Sequence, residues 1–220
     1  MSSGFLGGGI GPTAITWRSS GWWEVAGQTC VAAYQPKGAA SLAASYINLA
    51  NPGTYDAAPG TAPSFDTATG WTFAAASSQY LTTGIVFGVN WTILVRVGSA
   101  TQSFGYLIGA QSTSAALNVG FMPYGSTSRY YVHGTQLAIA GAQTGASIMA
   151  IAGANGYLNG ALEAGSMTPG AGVNRTLFIA ARNTGSASNH FSGIIRAIAI
   201  YNSTLTAAQV AALTTKMAAL

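Results

Sequence analysis

The sequence predicts an all-β domain, a sandwich or a barrel. From Cys30 onward, short apolar runs alternate with Gly, Pro, Asn and Ser clusters roughly every ten residues, the spacing of short strands joined by turns. Helical periodicity with capping signals occurs in only one segment, at the C-terminal end. The 220 residues, 49% of them apolar, are enough for one core, and no linker divides them.

Residues 1–27 read as an N-terminal arm, Gly-rich and then Trp-rich in "ITWRSSGWWEV". The arm packs Trp17, Trp22 and Trp23 against either the edge of its own domain or a partner. The domain proper spans 28–220. Its strands are expected at 30–35, 71–76, 79–84, 91–98, 104–111, 116–123, 129–134, 147–154, 155–162, 175–181 and 194–201. Between the first two, residues 45–70 hold three prolines and several turn formers, so they form an ordered surface loop. In "NGYLNGAL", Asn159-Gly160 supplies the two positive-φ residues of a type I′ hairpin turn.

The strand at 194–201 is apolar on both sides. On strict alternation Ile194, Arg196, Ile198 and Ile200 share one face, while Ile195, Ala197, Ala199 and Tyr201 share the other. Such a strand must be covered twice, by the sandwich core and by either the following helix or a neighbouring subunit. That helix begins in a capping box, with Thr206 as N-cap, Gln209 at N3 and Leu205 against Val210 as the staple. Val210, Leu213 and Met217 make its apolar stripe, and Lys216 complements its negative end.

Charged residues are only 5% of the chain, with a net charge of +4 from scattered basic side chains. No basic stripe points to nucleic acid, no apolar run is long enough for a membrane-spanning helix, and no secretory leader pattern is visible. So few charges leave solubility to Ser, Thr, Asn and Gln, or to burial against other subunits, and homo-oligomers are expected. The single Cys30 cannot form an internal disulfide and reads as a small buried residue.

The acids number four, Glu24, Asp56, Asp66 and Glu163, and no two have the strand spacing that paired glycosidase carboxylates need. Asp56 and Asp66 share a loop and either approach each other or each close a turn. Neither histidine, His133 nor His190, neighbours Cys30 in sequence, and no nucleophile elbow exists. No catalytic residue, metal ligand or cofactor is therefore expected. The binding candidates lie in two stretches. "MPYGSTSRYYVHG" gathers Tyr124, Arg129, Tyr130, Tyr131 and His133 around a turn, suited to sugar stacking or a protein contact, unless its alternate residues, such as Tyr130 and Val132, are simply core. "ARNTGSASNHF" is a Ser/Asn-rich loop carrying Arg182, Asn183 and Asn189, and either ligates a glycan through its side-chain amides or is a solvated connection.

The C-terminal half, "NGYLNGAL", "LFIAARN" and "HFSGIIRAIAIYNSTLTAAQVAAL", resembles the concanavalin A-like, laminin-G-like jelly-roll modules. Upstream, "CVAAYQP", "SSQYLTTG" and "WTILVRV" are similar to the first half of the same family. The likeness covers roughly residues 28 to 213 and implies a jelly-roll β-sandwich with a short C-terminal helix and an extended N-terminal arm. It looks most like the versions found in bacteriophage and other virion proteins. Ala74-Ala75-Ala76 and Arg196-Ala197 stand where relatives carry acidic residues, so the resemblance brings no calcium site.

Together these readings give a non-enzymatic structural and binding module on a virion surface, a capsid decoration protein packed on major capsid or other virion proteins, with loops free to hold glycans. The alternative is a lectin-type adhesin or tail-fibre domain.

Overall fold

In the computed structural model, residues 21–101, 104–113, 117–123, 127–140 and 143–220 are described. In chain order the strands begin with β1 (Cys30–Tyr34), β2 (Ala58–Thr61), β3 (Ser64–Asp66), β4 (Gly70–Phe73), β5 (Tyr80–Val86) and β6 (Thr92–Ala100). Next come β7 (Ile108–Gln111), β8 (Asn118–Met122), β9 (Thr127–Val132), β10 (Thr135–Ala140), β11 (Ser147–Ala152) and β12 (Asn155–Leu158). The last are β13 (Ala161–Leu162), β14 (Thr176–Ile179), β15 (Arg182–Asn183), β16 (Ala187–Ser188) and β17 (Gly193–Tyr201). Among the described residues two α-helices join them, the four-residue α1 (Leu42–Ser45) and α2 (Ala207–Ala218), with a 3-10 turn at Ala75–Ser77.

The strands form the predicted jelly-roll sandwich of two sheets. One runs β13-β12-β11-β6-β17-β4-β3, with β1 also paired to β17. The other runs β10-β9-β8-β7-β14-β5-β2 and carries the small β15–β16 hairpin on β7. Pairing is antiparallel throughout except where β15 lies parallel to β7. Between the sheets, Ile93, Val95, Val97, Ile195, Ile198 and Ile200 meet Ile108, Val119, Phe121, Tyr130 and Ile179, all buried in one core. Trp71 anchors it, its indole N–H donating to Ser45 Oγ at 2.7 Å.

A second core lies on the outer side of the first sheet. Ala197, Ala199, Tyr201, Leu94 and Ala150 are covered there by Val210, Leu213 and Met217 of α2, with Trp22 and Val25 at the margin. Each of the three helix side chains is fully buried, a contribution of about 1.5–3 kcal/mol apiece. The helix starts as its sequence requires, with Thr206 and Gln209 closing a reciprocal capping box. The twice-apolar strand is thus closed by the chain's own helix and residues 21–25, not by a neighbouring subunit.

Strict alternation misassigned the start of that strand. Arg196 is an extra residue between the pairs Ile195–Val97 and Ala197–Arg96, so Ile195 joins the central core with Ile198 and Ile200. Gly98 is the matching extra residue on β6; a Cβ there would lie 2.7 Å from the Ile194 side chain.

The 45–70 stretch is ordered, as expected, and contains β2 and β3 in addition. Its hub is the fully buried Asn48, whose Oδ1 accepts from Ala33 N at 2.9 Å while Nδ2 donates to the carbonyls of Val31 and Thr54. Asn159 and Gly160 take φ of 51° and 83°, as their hairpin turn demands. Among the described residues no helix is long and apolar enough to cross a membrane.

Candidate functional site

The site is built on the outer face of the nine-stranded sheet. In β9 Tyr130 and Val132 are buried in the core, so alternation turns Arg129 and Tyr131 outward, where both remain half-exposed. The pairing places Gln136, Tyr131, Gly120, Gly109, Phe178 and Thr82 in one row across five inter-strand steps. The two glycines leave a trough in the middle of this row.

Tyr106, just before β7, fills the trough. A Cβ on Gly109 or Gly120 would stand 2.6 or 2.9 Å from Tyr106 Cδ1, so the ring lies directly on the backbone of both strands. Tyr131 stacks on it, with ring centroids 5.6 Å apart and planes at 25°. The Arg182 guanidinium carbon lies 5.2 Å from the same ring. Only 2% of Tyr106 is exposed, and burial pushes its phenol up to about 12. The nearby Tyr131 adds to that rise, whereas Arg182 and Asn118, both hydrogen-bonded to the phenol, oppose it.

Asn189 ties the surrounding loops together. Its Oδ1 accepts from Arg182 Nη2 at 2.9 Å, its Nδ2 donates to the carbonyl of Phe104 at 3.4 Å, and its carbonyl accepts from Tyr106 N at 2.9 Å. Asn189 takes φ 48°, which asparagine tolerates, while Phe104 takes φ 63°, which a bulky side chain does not favour. Phe104 is held in this strained form with 58% of its surface exposed. Arg129 stands two residues from Tyr131 on the same face, roughly 7 Å along the strand. A second aromatic group flanks the trough, with Tyr80 5.0 Å from Phe178 and 5.9 Å from His190.

Of the residues singled out from sequence, Arg129, Tyr131 and Arg182 therefore share this face. Asn183 does not join them as a ligand group. It is buried, donates to the Thr176 carbonyl at 2.9 Å and accepts from Gly185 N at 2.9 Å, so it closes its own loop. Trp22 and Trp23 lie on the opposite side of the molecule, edge to face at 5.8 Å. Trp22 packs on the helix-side core and the Trp23 carbonyl accepts from Tyr201 Oη, so the described part of the arm docks on its own domain. A groove of about 700 Å³ between Trp23, Gln28, Ala50 and Lys216 opens beside them. Trp17 and Tyr124 lie outside the described residues.

His133 is a core residue in the turn between β9 and β10. It is 1% exposed, stacked 6.0 Å from Phe87, with Nε2 3.2 Å from the Gly88 carbonyl, and burial lowers its pKa. Cys30 is partly buried, its Sγ 3.3 Å from the Ala32 carbonyl, and desolvation pushes the thiol up to about 12. Asp56 and Asp66 each serve a turn. Asp56 accepts from the N–H groups of Asn48 and Gly53, and Asp66 from those of Ala68 and Thr69.

No protein-family model matches the chain, and no curated protein matches its sequence. Solved structures do match its fold. One is the binding domain of Paraclostridial Mosquitocidal Protein 1, at TM-score 0.59 and 11% identity, covering 84% of this chain and 52% of that one. Another is a mutant of Trypanosoma rangeli sialidase displaying trans-sialidase activity, at TM-score 0.56 and 12% identity, covering 86% and 33%. The chain spans about a third of that sialidase's length. The shared feature is the β-sandwich fold.

Proposed function

We propose that the protein is a non-catalytic glycan-binding module whose contact surface is the aromatic and arginine face of the nine-stranded sheet. The observation that carries this is the Tyr106–Tyr131 stack, with Arg182 beside the Tyr106 ring and an exposed, strained Phe104 two residues before it in the chain. The half-exposed Tyr131 ring and the exposed Phe104 ring offer apolar area to the C–H face of a sugar, and the amides of Asn118 and Asn189 nearby serve its hydroxyls. The fold neighbours support the reading: one is named a binding domain, and the T. rangeli sialidase also has a structure in complex with sialic acid.

The setting we infer is the surface of a phage-like particle, with major capsid or other virion proteins and sister copies as its partners. Its support is the jelly-roll resemblance and the 5% content of charged residues. A tail-fibre or adhesin lectin would use the same face.

A glycan array, followed by calorimetry on the best ligand, tests the function. Tyr131→Ala is expected to weaken binding about five- to tenfold, near 1–1.4 kcal/mol, while Trp23→Ala on the far side leaves it unchanged. No reducing sugar should be released during incubation. An array without signal, or equal affinity for wild type and Tyr131→Ala, would remove the proposal.

A further inference from the structure

We propose that this face selects acidic glycans, sugars bearing a carboxylate, over their neutral counterparts. The inference rests on the glycan-binding reading and names the substrate class of the same site. Its basis is the charge left over there. Two guanidinium groups, Arg129 and Arg182, stand on the face, yet none of the chain's four acids is among its residues. Glu24 lines the helix-side groove, Asp56 and Asp66 serve turns in the 45–70 loop, and Glu163 follows β13.

Arg182 is prepared for an anion in a way a solvated surface arginine is not. Asn189 holds one end of its fork through Nη2, and the Tyr106 ring lies within 5.2 Å. Its Nε is buried with no hydrogen-bond partner among the described residues, while the side chain as a whole is half-exposed, so what it offers a ligand comes from its terminal nitrogens. A guanidinium oriented by Asn189 and the Tyr106 phenol keeps its full charge and further terminal N–H groups, which a carboxylate oxygen accepts in charge-assisted bonds. The other groups agree with this polarity. Tyr106 keeps its proton to about 12 and adds no negative charge at neutral pH, and Asn118 and Asn189 bring amide donors. A sugar ring resting on Tyr131 or Phe104 then directs its carboxylate toward Arg182, one aromatic ring away.

Matched pairs of ligands test this by calorimetry at low and high salt. The probes are 3′-sialyllactose against lactose, trigalacturonate, and a sulfated galactose as a non-carboxylate anion. At about 20 mM salt, sialyllactose is expected to bind at least about tenfold tighter than lactose, an advantage that shrinks severalfold by about 300 mM. Arg182→Gln should abolish the preference, weakening sialyllactose binding at least about fivefold more than lactose binding, and Arg182→Lys should keep part of it, since charge remains and the fork is lost. Circular dichroism of both variants checks that the fold survives. Equal affinity for sialyllactose and lactose, or binding of the sulfated sugar alone, overturns the acidic-sugar proposal and leaves the glycan site standing. Failure of every sugar, neutral or acidic, overturns both.

Discussion

Glycine at position 109 shows how one side chain's absence builds the site. Its φ is unremarkable; what matters is that Tyr106 occupies the space a Cβ would need, 2.6 Å away. Gly109→Ala is therefore expected to lift the Tyr106 ring off the sheet and break its stack with Tyr131. Overpacking of this kind costs about 1–3 kcal/mol. For a chain of this size that lowers Tm by about 2–4 °C per kcal/mol, and glycan affinity should fall with it. A variant that melts and binds like wild type would mean that the trough is not what positions Tyr106. The same residue marks the limit of sequence reasoning. Arg129, Tyr131 and Arg182 are legible because aromatic and arginine residues alternate with buried neighbours. Tyr106 is not, because "GYLIGAQ" reads as an ordinary core strand. The signal available was a pair of glycines, Gly109 and Gly120, at outward positions of adjacent strands, a surface that some ring must cover.

Elements were legible where a local rule had no competitor. The α2 start follows from Thr206, Gln209, Leu205 and Val210 alone, and Thr206 Oγ1 does accept from Gln209 N at 3.3 Å. Thr206→Ala is expected to cost about 1 kcal/mol, seen as a drop of a few degrees in Tm, because it leaves the first turn's N–H groups unpaired. Leu213→Ala should cost more, about 2–5 kcal/mol, since it opens a cavity in the second core. If the cap variant proves as damaging as the core variant, helix initiation rather than packing governs this layer. Other elements were hidden by composition. The β2 sequence "APGT" looks like a turn and pairs only as an edge strand, where proline is tolerated. In β10, "TQLAIA" carries alanines of weak strand preference, and only its ladder with β9 makes it a strand. The β17 face assignment failed because a bulge depends on the partner strand, and a single strand's periodicity does not record it.

At the scale of the whole molecule, the scarcity of charge shapes the response to pH. Acid unfolding in most proteins is driven by many paired carboxylates, but this chain has four acids. The buried His133, whose pKa is lowered by desolvation, is expected to contribute to the acid limb in their place. A depressed folded pKa gives stability that is present above the unfolded value of about 6.5 and lost as pH falls through the folded one. On the alkaline side the signs reverse. Cys30 and Tyr106 are each pushed up to about 12, and burial raises Tyr34, Tyr130 and Tyr201 as well. Their stabilisation is intact below the unfolded values, about 9 to 10, and lost as pH climbs toward the folded ones. Urea melts across the pH range should therefore show a plateau between about 6.5 and 9, with a shallow acid limb and a steep alkaline one. His133→Asn isolates the acid limb, because asparagine accepts the φ of 43° at this turn but carries no titrating proton. Loss of the Phe87 stack lowers its midpoint at every pH, and the decisive quantity is the slope. A flat midpoint below pH 6.5 in His133→Asn, against a falling one in wild type, assigns the acid limb to this histidine; parallel curves would assign it to the carboxylates.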